Sequence, residues 1–306
     1  MGVSVERALT PAPTGSTRAE RWMRPLAWAS LGVNILIVLT GGVVRLTGSG
    51  LGCPEWPRCS GQSFTPHGAM GIHAAIEFGN RMVTFLIAAI AIVTFITAWQ
   101  VGRRSLIKLS LVLALGVPAQ AVIGGISVLT DLNPWVVALH LLVSLAMVSV
   151  AVVLLQRTGE GDGPARQTVP TGVAWVARLL FVVGWAVLYV GTVVTGSGPH
   201  AGDASAPRNG LDPRAVSQLH TDLVFLLLGL TIAVLLVLRS VPAPARARDA
   251  ATVLLLVELT QATVGFVQYF SGLPVPLVTV HLLGAALTTA GMTWLLLTTR
   301  QRPASE

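Results

Sequence analysis

The sequence predicts an all-α integral membrane protein: eight transmembrane helices arranged as two tandem four-helix bundles in parallel repeat. Three observations carry that prediction. Hydrophobic residues make up 53% of the 306 residues and charged residues only 11%, with a mean hydropathy of +0.73, well outside the range of water-soluble domains. Apolar runs long enough to cross a bilayer fall at about 26–46, 70–99, 107–129, 135–155, 173–195, 217–238, 250–270 and 276–298. One stretch occurs twice: Gln120-Ala-Val-Ile-Gly124 and Gln261-Ala-Thr-Val-Gly265 open segments that close on His140-Leu-Leu and His281-Leu-Leu, offset by 141 residues at both ends.

The elements follow in chain order. Residues 1–24 are rich in Pro, Thr, Ser and Arg and read as a disordered tail. The first apolar run after them is too long for a signal-peptide core. Residues 25–157 form the first four-helix half, 158–172 a polar linker containing Gly159 to Gly163 with Pro164 and Pro170, 173–299 the second half, and 300–306 a short tail. An even number of spans puts both termini on one side. The tails and even-numbered loops hold fifteen of the Lys and Arg residues, from Arg7 to Arg302. The opposite side has Arg45, Arg58, Arg81, Arg208 and Arg214. The positive-inside rule therefore places both termini in the cytoplasm and the loop after the first span outside, in a cell membrane. The net charge of +7 lies between apolar runs, which suits lipid headgroups, and nothing resembles a nucleic-acid module.

The repeat extends further. Thr47-Gly-Ser-Gly at the outer end of span 1 recurs as Thr195-Gly-Ser-Gly at the outer end of span 5, and Asn80 in span 2 lies 140 residues before His220 in span 6. Both halves run from inside to outside in the same order, a parallel repeat about an axis along the membrane normal.

This layout puts His140, His220 and His281 at similar depth, near the outer ends of spans 4, 6 and 8. Imidazoles facing each other inside an apolar bundle can hold a haem iron, whose flat macrocycle fills the gap between helices. The bland alternative is that each His makes an interhelical hydrogen bond. Their repeated placement favours a bis-imidazole site at His220 and His281. The first half differs: Asn80 replaces the His, so His140 faces an amide that binds iron poorly. His73, Glu77 and Asn80 share one helical face, about 10 Å separating the first from the last. His73 is a substitute ligand or the lining of an entrance. Glu77 is a proton acceptor, a stabiliser of developing positive charge, or simply an ion-pair partner of Arg81.

Cys53 and Cys59, the two cysteines, enclose Pro-Glu-Trp-Pro-Arg in the outer loop after span 1. On an oxidising face they can form a structural disulfide, with a redox-active dithiol as the other reading. His67 and His200 fall in outer loops and read as solvated. Arg45 and Arg81 are candidate propionate contacts. Glu258, inside span 7, has no assigned role.

The run from Arg45 to Cys59, the Glu77-x-x-Asn80-Arg81 segment and the two Gln…His-Leu-Leu stretches resemble the haem A synthase family over essentially all eight spans. That resemblance implies oxidation of the position-8 methyl group of haem O to a formyl group, giving haem A for cytochrome oxidase. It implies haem b on His220 and His281, substrate haem on His140, and Glu77 as the essential acid, in a family that usually has His where this chain has Asn80. It implies haem O synthase and an electron donor as partners, and a homo-oligomer is compatible with it. A b-type cytochrome that only passes electrons would need two matched His pairs. A carrier built on a parallel repeat would leave the cysteine loop unexplained.

Overall fold

The computed structural model describes residues 17–61, 63–67 and 71–303. It is all-helical apart from one short strand pair. Eight helices are long and apolar enough to cross a membrane: α1 (Arg18–Leu46), α2 (Gly71–Val101), α3 (Arg104–Leu129), α4 (Pro134–Thr158), α5 (Thr171–Ser197), α6 (Pro213–Ser240), α7 (Ala245–Phe270) and α8 (Val275–Thr298).

The first helix starts earlier than its apolar run suggests. Thr17 caps α1: its hydroxyl accepts from the Glu20 N–H at 3.2 Å, while the Glu20 carboxylate accepts from the Thr17 N–H at 2.6 Å. This reciprocal pair satisfies two of the donors that every helix start leaves open. Residues 18–24, read from composition as tail, are therefore helical; residues 1–16 lie outside the described part. Pro134 and Pro213 begin α4 and α6 where a missing N–H does no harm, and Asn133 and Asp212 cap them. Helix α2 has 31 residues and is about 46 Å long, longer than the hydrocarbon core of a bilayer is thick, so its ends reach beyond that core.

Helices α4 and α8 pack together at the centre, with α1 and α5 against both. Thr293 of α8 donates to Ser149 of α4 at 3.0 Å across this seam, the kind of polar contact that joins helices where lipid removes the hydrophobic driving force. One apolar cluster fills the second half and reaches Val38 and Leu145; the other fills the first half. Large apolar side chains such as Phe85, Trp99, Val182, Leu236 and Phe270 are exposed on the outer faces, as lipid contact demands.

The linker is tied down on both sides. Arg166–Gln167 (β1) pairs antiparallel with Arg300–Gln301 (β2). Gly161 donates to the Pro303 carbonyl at 2.6 Å, Thr168 to that of Thr299 at 3.0 Å, and Arg302 to that of Gly163 at 3.1 Å. Asp162 accepts from the Ser105 N–H at 3.1 Å and pairs with Arg103 at 3.4 Å and Arg157 at 3.3 Å. Burial would raise the Asp162 carboxyl, but the hydrogen bonds from Ser105 and the charge of Arg103 outweigh it and hold the group below the usual carboxylate range. On the opposite end of the bundle, Gly50 donates to the Gly202 carbonyl at 2.8 Å and joins the α1–α2 loop to the α5–α6 loop.

Candidate functional site

The repeated stretch builds the same structure twice. Gln120 of α3 donates to the backbone carbonyl of His140 at 3.2 Å; Gln261 of α7 donates to that of His281 at 2.9 Å. One turn further on, a Cβ at Gly124 would lie 3.1 Å from His140 Cε1, and one at Gly265 would lie 3.4 Å from His281 Cε1. Gly191 of α5 does the same for His220, at 3.1 Å. Each imidazole thus has its edge against a bare backbone on the neighbouring helix, which sets the ring's position along the bundle. The constant offset made Gln120, Gln261, Gly124 and Gly265 visible in the sequence, but their role as supports for the histidines needed the structure. Gly191 gave no such signal.

In the second half the rings of His220 and His281 lie 6.4 Å apart between centroids, with their planes at 67°. The Nδ1 atoms of His140, His220 and His281 are all buried without a hydrogen-bonding partner of good geometry, although the Val187 carbonyl lies beside His220. Unmet buried nitrogens are expensive in a bilayer, and the Nδ1 atoms of His140 and His281 have no interhelical hydrogen bond that would explain them as structural. No cluster of three or more His, Cys, Asp or Glu with the arrangement of a bare-metal site occurs among the described residues. Two axial nitrogens with a macrocycle between them fit these residues.

In the first half, Asn80 is half-buried and its Oδ1 accepts from the Thr40 hydroxyl at 2.7 Å. His73 is exposed, and its Nδ1 is bonded to the Ser49 hydroxyl at 2.9 Å. Glu77 is buried, and both of its oxygens are engaged. Oε1 pairs with Arg81 at 2.6 Å, and Oε2 accepts the Cys53 N–H at 2.7 Å. Arg81 also donates to the carbonyls of Cys53, Glu55 and Arg58. The pair Glu77–Arg81 therefore anchors the outer loop to α2.

That loop is closed by a Cys53–Cys59 disulfide, and both cysteines are fully buried. Its Trp56 lies flat against Gly125 of α3, where any Cβ would strike the indole ring. Gly125 adjoins Gly124, so the loop reaches the backbone on which His140 rests. Arg45 donates to the carbonyls of His200 at 2.8 Å and Thr195 at 2.9 Å. His67 is exposed, whereas His200, read as solvated, is held by the Leu273 carbonyl at 2.9 Å. Glu258 accepts from Thr231 at 2.9 Å, and its second oxygen is buried without a partner.

The fold and these side chains define a multi-pass membrane protein with imidazoles supported between helices of the bundle. Residues 24–207 match the family model described as cytochrome oxidase assembly protein (COX15-CtaA), and the chain belongs to that family. Among its relatives, the Heme A synthase of Alkalihalophilus pseudofirmus is 32% identical over 171 residues, covering 54% of this chain and 56% of the relative. That of Lysinibacillus sphaericus is 35% identical over 142 residues, 44% of each. That of Halalkalibacterium halodurans is 30% identical over 168 residues, 52% of this chain and 55% of the relative. The chain spans about half the length of the curated relatives it matches.

Proposed function

We propose that this protein is a haem A synthase, which oxidises the position-8 methyl group of haem O through successive hydroxylations to the formyl group of haem A. One observation carries the reading: the histidines are unequally paired. His220 lies beside His281, whereas the residue that matches His220 in the first half, 140 residues earlier, is Asn80. Two imidazole nitrogens at about 2 Å from one metal put their ring centroids roughly 6 Å apart, and His220 and His281 have a separation of 6.4 Å. The names of the relatives support the same activity.

On this reading the chain is a tandem duplication. Its second half, residues 173–299, holds haem b on His220 and His281. Its first half, residues 25–157, takes substrate haem on His140. Bound haem b supplies one-electron transfer. The residues of the chain do the rest: Gly191 and Gly265 fix the two rings, Gln120 and Gln261 fix the helix turns that carry His140 and His281, and the surrounding apolar side chains exclude water. Glu77 adds negative charge near the first-half site, where it would stabilise an electron-deficient intermediate at the methyl carbon. To accept a proton as well, it must release Arg81 or the Cys53 N–H. Both termini face the cytoplasm and the disulfide loop faces outward; haem O synthase supplies the substrate, and each hydroxylation takes its oxygen atom from a dioxygen-class oxidant whose second atom leaves as water with two electrons from an electron donor. A b-type cytochrome that only passes electrons would need a second His pair.

The deciding experiment is extraction and chromatography of haems from cells that express the chain with a source of haem O. Haem A should appear; an unchanged haem O peak would refute the activity. In the purified protein, His220→Ala or His281→Ala should each abolish a six-coordinate low-spin haem spectrum, and survival of that spectrum in both variants would refute the ligand assignment.

A further inference from the structure

In the sequence repeat Asn80 of α2 is the counterpart of His220 of α6, and its neighbours prepare it for a different task. An amide is a poor iron ligand beside an imidazole. The Thr40 hydroxyl lies 2.7 Å from Asn80 Oδ1 but 3.4 Å from the Ile37 carbonyl. A hydroxyl has one proton to give, and the shorter contact directs it to Oδ1. The amide is thereby oriented, and its NH2 group, which makes no hydrogen bond among the described residues, is left as the free end.

Resting on the reading that substrate haem is held by His140, we propose that Asn80 is a distal hydrogen-bond donor: its side-chain N–H, aimed by Thr40, holds a small exogenous ligand at an open sixth position of the iron. The two halves then differ in kind. The second is closed by two imidazoles, and the first keeps one coordination position open, with a donor beside it. Thr40 is a positioning residue, acting through the amide it orients.

The test uses the purified full chain loaded with haem in cells, with carbon monoxide and cyanide as probes. The reduced protein should bind one carbon monoxide, and His140→Ala should remove it. In Asn80→Ala the C–O stretch should move to higher wavenumber and the cyanide Kd of the ferric form should rise about tenfold, the loss of one hydrogen bond. Thr40→Val should broaden or split the C–O band by freeing the amide. Asn80→His should abolish carbon monoxide binding and add a second low-spin haem, an outcome that does not depend on how Asn80→Ala folds. A C–O stretch and cyanide affinity unchanged in Asn80→Ala would overturn the donor role while leaving haem on His140. Haem in both halves with no carbon monoxide binding would overturn the open position. A carbon monoxide adduct that persists in His140→Ala would overturn the placement of haem on His140, and the proposal with it.

Discussion

Glycines 124, 191 and 265 have one task in common, to let an imidazole edge approach a helix backbone. An added methyl group would stand 3.1 Å from His140 at Gly124 and 3.4 Å from His281 at Gly265. Overpacking of this kind costs about 1–3 kcal/mol. Gly124→Ala should therefore lower haem retention in the first half more than Gly265→Ala does in the second, measured as haem per protein after purification. Equal losses would mean that the rings move freely and that the glycines do not position them. Glu77 is the second case at this scale. Glu77→Gln keeps an acceptor for the Cys53 N–H but leaves Arg81 without its charge partner, and breaking a buried pair from one side costs about 3–5 kcal/mol at full burial. With Arg81 partly exposed, at 21% of its side chain, a smaller loss is expected. Melting in detergent should fall by a few degrees while haem loading persists and conversion stalls. Normal haem A yield would remove Glu77 from the chemistry.

Among the elements, the linker between the halves is held by the C-terminal strand. Deleting residues 300–306 removes β2, the Gly161–Pro303 bond and the contacts of Arg302 with Gly163 and Glu160. At about 1 kcal/mol for each net hydrogen bond, the loss is about 2–3 kcal/mol of local stability. Protease cleavage between residues 159 and 170 should rise roughly 100-fold in the truncated protein. The clasp is also acid-sensitive. The Asp162 carboxyl titrates below its unfolded value, so its contribution is present above the unfolded pKa of about 3.9 and is lost as pH falls through the lower folded value. Linker cleavage by an acid-stable protease should increase as pH drops from 5 to 3, and Asp162→Asn should flatten that increase. Because Asp162 is 38% exposed, solvent screening keeps the effect modest.

For the whole molecule, the eight spans were legible in the sequence because a bilayer imposes one dominant requirement, about 20 apolar residues for each crossing. The same physics exposed the paired stretches, since His and Gln stand out against an apolar background. The start of α1 was missed because its first two turns are polar and rest on a capping box, not on hydropathy. The linker was read by its Gly and Pro residues as a simple boundary, and its long-range bonds to the tail have no local signature. At the site, the sequence alone determined which imidazoles are present and the asymmetry between His220 and Asn80. Only the tertiary structure decided what each one touches: the glycine edges beside the three histidines, the Thr40 contact that orients Asn80, the Ser49 bond that takes His73, and the engagement of Glu77, Arg81 and Arg45 by loop backbone. Composition and spacing report the solvent a residue requires, whereas hydrogen-bond partners are set by side chains that converge from helices far apart in the chain.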